Sequence, residues 1–154
     1  PEKRIVSQVE QALVLDTNVW LDWLVFDDPG IQPLRHAVRQ GAATVVIDED
    51  CLGELARVLA YPLRRQPLGR EAQADCIAIC RACARVVESG PPPSTLPRCE
   101  DPDDQKFLEL AGRAQAHYLL SKDRALLALA HKPGIGFHIM TPDGFSALNG
   151  IESG

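Results

Sequence analysis

Short apolar, often β-branched runs alternate with helix-length amphipathic segments along this chain, and that alternation predicts an α/β domain built on a parallel sheet. Two further observations sharpen the prediction. Ala12-Leu13-Val14-Leu15 is apolar at every position, as a strand buried on both faces should be. At 154 residues the chain suits one domain with a sizeable core. The expectation is a single domain over residues 1–154, with a twisted parallel sheet of about five strands and helices on both faces, three layers in all.

The elements follow in order. Residues 5–11 are a lead-in without a clear pattern. Ala12–Leu15 is strand one, and Val19, Trp20, Leu21, Trp23 and Leu24 have helical spacing, which predicts a helix from about Val19 to Phe26. Asp27-Asp28-Pro29-Gly30 is a turn. Ile31–Gln40 reads as a helix ended by Gly41, where a left-handed cap wants glycine. Ala43–Ile47 is a β-branched strand running into Asp48, Glu49 and Asp50. Cys51–Ala60 is helical, stopping before Pro62, and a basic loop follows. Glu71–Arg81 is a strong amphipathic helix continuing to Cys83, and Arg85–Val87 is a short strand. Gly90 to Pro97 is a stiff extended connection, too short for a domain linker. Asp103–Ala116 is a helix, Tyr118–Leu120 a strand, Asp123–Ala130 a helix and Phe137–Met140 a fifth strand. Thr141-Pro142 opens a last helix with a cap and a proline at the first helical position.

Composition bounds the function. Apolar content of 45% and charged content of 24% are ordinary for a globular protein. No apolar run approaches the roughly 20 residues of a membrane span, and Pro1-Glu2-Lys3-Arg4 opens no signal-peptide pattern. Five cysteines without small-scaffold spacing favour a reducing, cytoplasmic setting. Cys76, Cys80 and Cys83 share one helix face, but they lack a fourth zinc ligand and turn-like spacing, and they read as small core residues. The histidines His36, His117, His131 and His138 are scattered, and no glycine-rich phosphate loop is present.

The acids at strand ends carry the chemistry. Asp16 follows strand one, Glu54 lies one turn into the helix after strand two, Asp104 opens the helix after the proline-rich segment, and Asp123 follows strand four. In a parallel sheet these points share one edge, the edge where sites are built. Two unit charges about 4 Å apart repel by about 4 kcal/mol at an effective dielectric of about 20, so such a cluster needs protons or cations. Carboxylates are hard ligands, and the expected cation is Mg²⁺ or Mn²⁺, one or two ions. These acids account for four of the five net negative charges. Each also has a structural reading: Asp16 as a helix N-cap, Asp104 and Asp123 as helix-start acids set for the dipole. Within Asp101-Pro102-Asp103-Asp104, Asp104 heads the face carrying Phe107, Leu108 and Ala111, Asp103 is placed as the N-cap, and Asp101 as an outer group.

The chain resembles PIN-domain proteins, a metal-dependent ribonuclease fold used by many bacterial toxins. The resemblance runs from Val14 to Leu148. It rests on Val14-Leu15-Asp16-Thr17-Asn18, Glu54-Leu55 with Val58-Leu59, Asp101-Pro102-Asp103-Asp104-Gln105-Lys106-Phe107-Leu108, Tyr118-Leu119-Leu120-Ser121-Lys122-Asp123, and Ile139-Met140-Thr141-Pro142 with Phe145. It is strongest to the branch of toxin components of toxin–antitoxin systems. Carried over by position, Asp16, Glu54, Asp104 and Asp123 match the metal-binding, catalytic acids. Asn18 matches the polar residue beside the first acid, and Ser121 the hydroxyl residue before the fourth. Cys51 stands where a hydroxyl residue is more usual, and His117 where Asp or a small residue is common.

The resemblance implies an endoribonuclease hydrolysing RNA, single-stranded or structured, to a 5′-phosphate and a 3′-hydroxyl. Two ions roughly 3.5–4 Å apart would activate the water and stabilise the leaving oxygen. Asn18, Asp101, Ser121 and Lys122 would orient the phosphate or the attacking water, with Lys106 and Arg124 beside them. Between Arg57 and Arg85, six arginines (Arg57, Arg64, Arg65, Arg70, Arg81, Arg85) stand against Glu71 and Asp75, a basic stretch suited to phosphates. A small antitoxin protein is implied, sending an Arg into the acid site, with Trp23, Leu24 and Phe26 as candidate groove residues. The same three residues would also serve as core or as the surface of an expected homodimer.

Other classes fit less well. Aspartate-nucleophile phosphatases use Asp-x-Asp, and here Asn18 replaces the second Asp. Receiver domains want an acidic pair near the first strand and a phosphorylated Asp on a later one. The remaining alternative is a catalytically weak protein of the same fold, serving as an RNA-binding or protein-binding scaffold.

Overall fold

A computed structural model describes residues 11–63, 67–91, 93 and 95–148. The expected lead-in before Gln11, and Arg64 and Arg65 of the basic loop, lie outside these residues. Five strands form one parallel sheet in the order β3-β2-β1-β4-β5. They are β1 (Gln11–Leu15), β2 (Ala43–Asp48), β3 (Ala84–Val87), β4 (Tyr118–Leu120) and β5 (His138–Met140). β1 is central because it has no polar face to show water: Leu13, Val14 and Leu15 are all buried. Its register sets Leu13 beside Tyr118 and Leu15 beside Leu120.

The strand order reverses at β1, with β2 and β3 to one side and β4 and β5 to the other. Right-handed crossovers therefore lay the connections on opposite faces, giving the expected three layers. Among the described residues seven α-helices cover the sheet: α1 (Thr17–Leu24), α2 (Gln32–Arg39), α3 (Glu49–Leu59), α4 (Arg70–Cys83), α5 (Gln105–Arg113), α6 (Arg124–Leu127) and α7 (Pro142–Leu148). α1 packs on α3 and α4, α5 on β1 and β4, and α2 on β2 and α7.

Helix boundaries depart from the sequence expectation where a polar side chain captures the chain end. α1 starts at Thr17 rather than Val19 because the Asp16 carboxylate accepts the Val19 N–H at 2.9 Å. α3 starts at Glu49 rather than Cys51 because Asp48 does the same for the Cys51 N–H, also at 2.9 Å. The helix expected over 103–116 is shorter. Pro102–Asp104 forms a 3₁₀ turn in which the Asp101 carboxylate accepts from the Asp103 N–H at 3.0 Å, and Gln115 ends the segment at φ +55°. Asp103 is thus not the cap residue it was expected to be: Asp101 caps the 3₁₀ turn, and Asp104 is the residue from which α5 starts. The segment from Asp123 is helical only over α6 and continues to His131 as turns. The expected ends hold at Gly41, whose φ is +78°, and at Thr141, whose hydroxyl accepts from the Gly144 N–H at 3.0 Å.

The aromatic residues of α1 serve the core. Trp20 and Trp23 are buried with ring centroids 5.3 Å apart. Leu24 and Phe26 are half-buried and packed against that core. Trp23 is therefore not an exposed groove residue: its ring closes α1 against the interior. Cys76 and Cys80 are likewise buried, under α4.

Candidate metal centre

The carboxyl ends of β1 and β4 are adjacent, and the strand order reverses between them, which is where an open α/β sheet leaves a crevice. Asp16 follows β1 directly. Ser121, Lys122 and Asp123 follow β4. α3 carries Glu54 to the same edge, and the 3₁₀ turn before α5 brings Asp101 and Asp104. A cleft of about 120 Å³ is lined by Asp16, Thr17, Asn18, Glu54, Asp104 and Phe107, together with Val58.

Three carboxylates converge: oxygens of Asp101, Asp104 and Asp123 lie within 4.8 Å of one another. The Oδ2 atoms of Asp104 and Asp123 are buried and have no hydrogen-bond partner among the described residues. Burial, then the neighbouring carboxyl of Asp123, then the charges of Asp123, Asp101 and Asp16 push the Asp104 carboxyl up to about 8. Without a cation this cluster therefore keeps a proton at neutral pH.

Asp16 is only 3% exposed. One oxygen caps α1 and the other accepts the Ser121 hydroxyl. Ser121 is wholly buried, and its oxygen also accepts the Asp123 N–H at 2.9 Å. One hydroxyl thus fixes Asp16 against the backbone that carries Asp123. Burial lifts the Asp16 carboxyl to about 6, against the lowering pull of its bonds to Ser121 and Val19.

Glu54 lies on the same cleft but in different company. Its Oε2 accepts the Thr17 hydroxyl at 2.6 Å, and its Oε1 is ion-paired with the Lys106 ammonium. Asn18 is exposed on the cleft wall. Lys122 turns away to pair with Asp22, which raises its affinity for its proton. Arg124 is exposed, and Cys51 is buried, with burial holding its thiol protonated. Of the basic stretch, Arg57, Arg70, Arg81 and Arg85 are exposed, and Arg81 reaches Glu49 at 3.3 Å.

Sequence reasoning did not single out Thr17. The available signal was its place one residue after the capping acid, on the first turn of α1 and beside the strand edge. It also gave Lys106 to phosphate without anticipating its pairing with Glu54.

The donor set fits a hard divalent cation. All three converging groups are carboxylates, and two of their buried oxygens have no donor among the described residues. A family model described as PIN domain matches residues 12–125. No curated protein matches the chain.

Proposed function

This chain belongs to the PIN domain family, a nuclease fold whose members typically bind divalent metal ions, and on that premise we propose that it is a Mg²⁺- or Mn²⁺-dependent endoribonuclease. The observation that supports the reading is the convergence of Asp101, Asp104 and Asp123, with two buried oxygens that have no hydrogen-bond partner among the described residues, beside a cleft that Asp104 lines. Those three would hold the ion, and Asp16 and Glu54 would add charge on the walls of the same cleft. A bound ion supplies Lewis-acid activation of water and of the phosphodiester, so no histidine base is needed.

The chain's own residues do the positioning. Ser121 keeps Asp16 and Asp123 in register through its two hydrogen bonds. Thr17 holds Glu54. Asn18, on the open side, is placed to donate to a phosphate oxygen, and the exposed arginines of α3, α4 and β3 supply sequence-independent attraction to the backbone of RNA. In the hydrolysis, water oxygen bonds to phosphorus, the P–O3′ bond breaks, and the water's proton passes to O3′, leaving a 5′-phosphate and a 3′-hydroxyl.

The toxin role belongs to the same reading. An antitoxin would neutralise the acid cleft with an Arg, whose fork matches carboxylates bidentately. Incubating pure protein with end-labelled RNA and Mn²⁺, with EDTA as control, tests the nuclease. Metal-dependent cleavage supports it, and RNA binding without cleavage makes the protein a scaffold. Growth arrest on expression, relieved by Asp16→Asn and by the neighbouring small gene product, tests the toxin role, and harmless expression at high soluble levels overturns it.

A further inference from the structure

Glu54 comes from α3 and Lys106 from the first turn of α5, yet their side chains close on each other at the cleft. Both oxygens of Glu54 are taken, one by Thr17 and one by Lys106. The side chains are mostly shielded, 17% exposed for Glu54 and 26% for Lys106. The ammonium also sits 5.9 Å from the centroid of the Phe107 ring, a further attraction for a cation, and Phe107 itself lines the cleft. Glu54 does not join the group formed by Asp101, Asp104 and Asp123. The acid edge is therefore divided: one side holds carboxylates that form no ion pair among the described residues, and the other holds a carboxylate whose counterion is covalently part of the chain.

We propose that the Lys106 ammonium occupies the place at Glu54 that a second divalent ion would take, so that this protein works with one divalent ion and one fixed ammonium. The inference rests on the metal-dependent reading above. An ion entering at Glu54 would have to expel Lys106 into a cleft already holding another cation, and ammonium and divalent ion repel. Held by Glu54 through one N–H, the ammonium keeps two more donors. Its partial exposure lets a non-bridging phosphate oxygen of RNA reach one of them, as a point charge rather than a fork. Lys106 thus does for the phosphate what a second ion does in two-metal sites, and it needs no dissociable ligand.

Mn²⁺ stoichiometry tests this without any turnover. Titrating the full chain while following free Mn²⁺ by its electron paramagnetic resonance signal should give one ion on the wild type and on Lys106→Arg. It should give two on Lys106→Met, where Glu54 is released. Circular dichroism melts run alongside confirm folding. Should Lys106→Met fail to fold, Lys106→Gln carries the same test, because its amide still donates to Glu54 but brings no charge. Two ions on the wild type, or one ion on a folded, uncharged Lys106 variant, would overturn the proposal and leave the nuclease reading standing. No ion on any of these proteins would overturn the metal-dependent reading itself.

Discussion

Asp16 and Asp48 are near twins. Each ends a buried central strand, each caps the following helix by accepting a backbone N–H three residues on at 2.9 Å, and each is 3% exposed. They differ in what meets the second oxygen. At Asp48 it is the guanidinium of Arg113, reaching across from the end of α5, which also donates to the Gly90 carbonyl at 3.2 Å. At Asp16 it is a neutral hydroxyl, that of Ser121. The same strand-to-helix corner is thus built twice, once with an ion pair on the second oxygen and once, among the described residues, with only a hydroxyl there. The copy without an ion pair lines the cleft beside Asp104, one of the three carboxylates proposed above to hold the ion.

The largest effect expected from breaking this contrast is on stability at the ion-paired copy. Asp48→Asn leaves the half-buried Arg113 guanidinium without its charged partner, which should cost about 2–3 kcal/mol in urea unfolding. Adding Arg113→Met should recover most of that loss, because removing both charges is far cheaper than removing one. A double variant no more stable than the single one would mean that Arg113 is not what balances Asp48.

At the other copy the expected losses are in ligand binding. Asp104→Asn should weaken Mn²⁺ binding by about 100-fold or more by calorimetry, about 2.7 kcal/mol, while the protein melts no lower than the wild type in EDTA. Equal Mn²⁺ affinities for variant and parent would remove Asp104 from the centre.

Much of this was legible in the sequence, and the reasons are specific. β1 and β2 are apolar on both faces, which only a central parallel strand explains. The acids after them mark the carboxyl edge. Sequence pattern did not separate Asp16 from Asp48, because the capping signal is identical and the deciding partners, Ser121 and Arg113, lie 105 and 65 residues away. Nor did it show that Asp101 would join Asp104 and Asp123 while Glu54 turned to Lys106, since spacing along one helix or loop says nothing about a partner on another. The 3₁₀ turn at Pro102–Asp104 escaped for a local reason: the Asp101 side chain competes with helical bonding just where Pro102 removes a donor.

A smaller effect is expected at the hydroxyl linking the two acids. Ser121→Ala removes the donor to Asp16 and the acceptor of the Asp123 N–H, and should cost about 1–3 kcal/mol of stability at pH 7.5. It should also lift the Asp16 carboxyl further, since the Ser121 bond is what holds it down. A stability unchanged from the parent would mean that water replaces the hydroxyl at no cost.

The pH response of the metal-free protein follows from the same acids. The folded-state values of about 6 for Asp16 and about 8 for Asp104 lie above the unfolded carboxylate range, so the folded protein binds more protons than the unfolded one between about pH 4 and pH 8. Stability from these groups is full below the unfolded value and is lost as pH rises through 6 and then 8. Melting temperatures in EDTA should fall by a few degrees from pH 5 to pH 8, and saturating Mn²⁺ at pH 8 should restore them. A rise over that range without metal would contradict these raised values.

The contrast between the twin aspartates is tested most directly by cleavage of labelled RNA with Mn²⁺ by Asp16→Asn and Asp48→Asn, each assayed below its melting temperature. Asparagine keeps both caps, so each variant changes charge with little change in shape. The account predicts that Asp16→Asn loses cleavage by about 100-fold or more while remaining folded, and that Asp48→Asn, though far less stable, cuts within a few-fold of the parent per folded molecule. Parental cleavage by Asp16→Asn, or equal losses in the two variants, would contradict it.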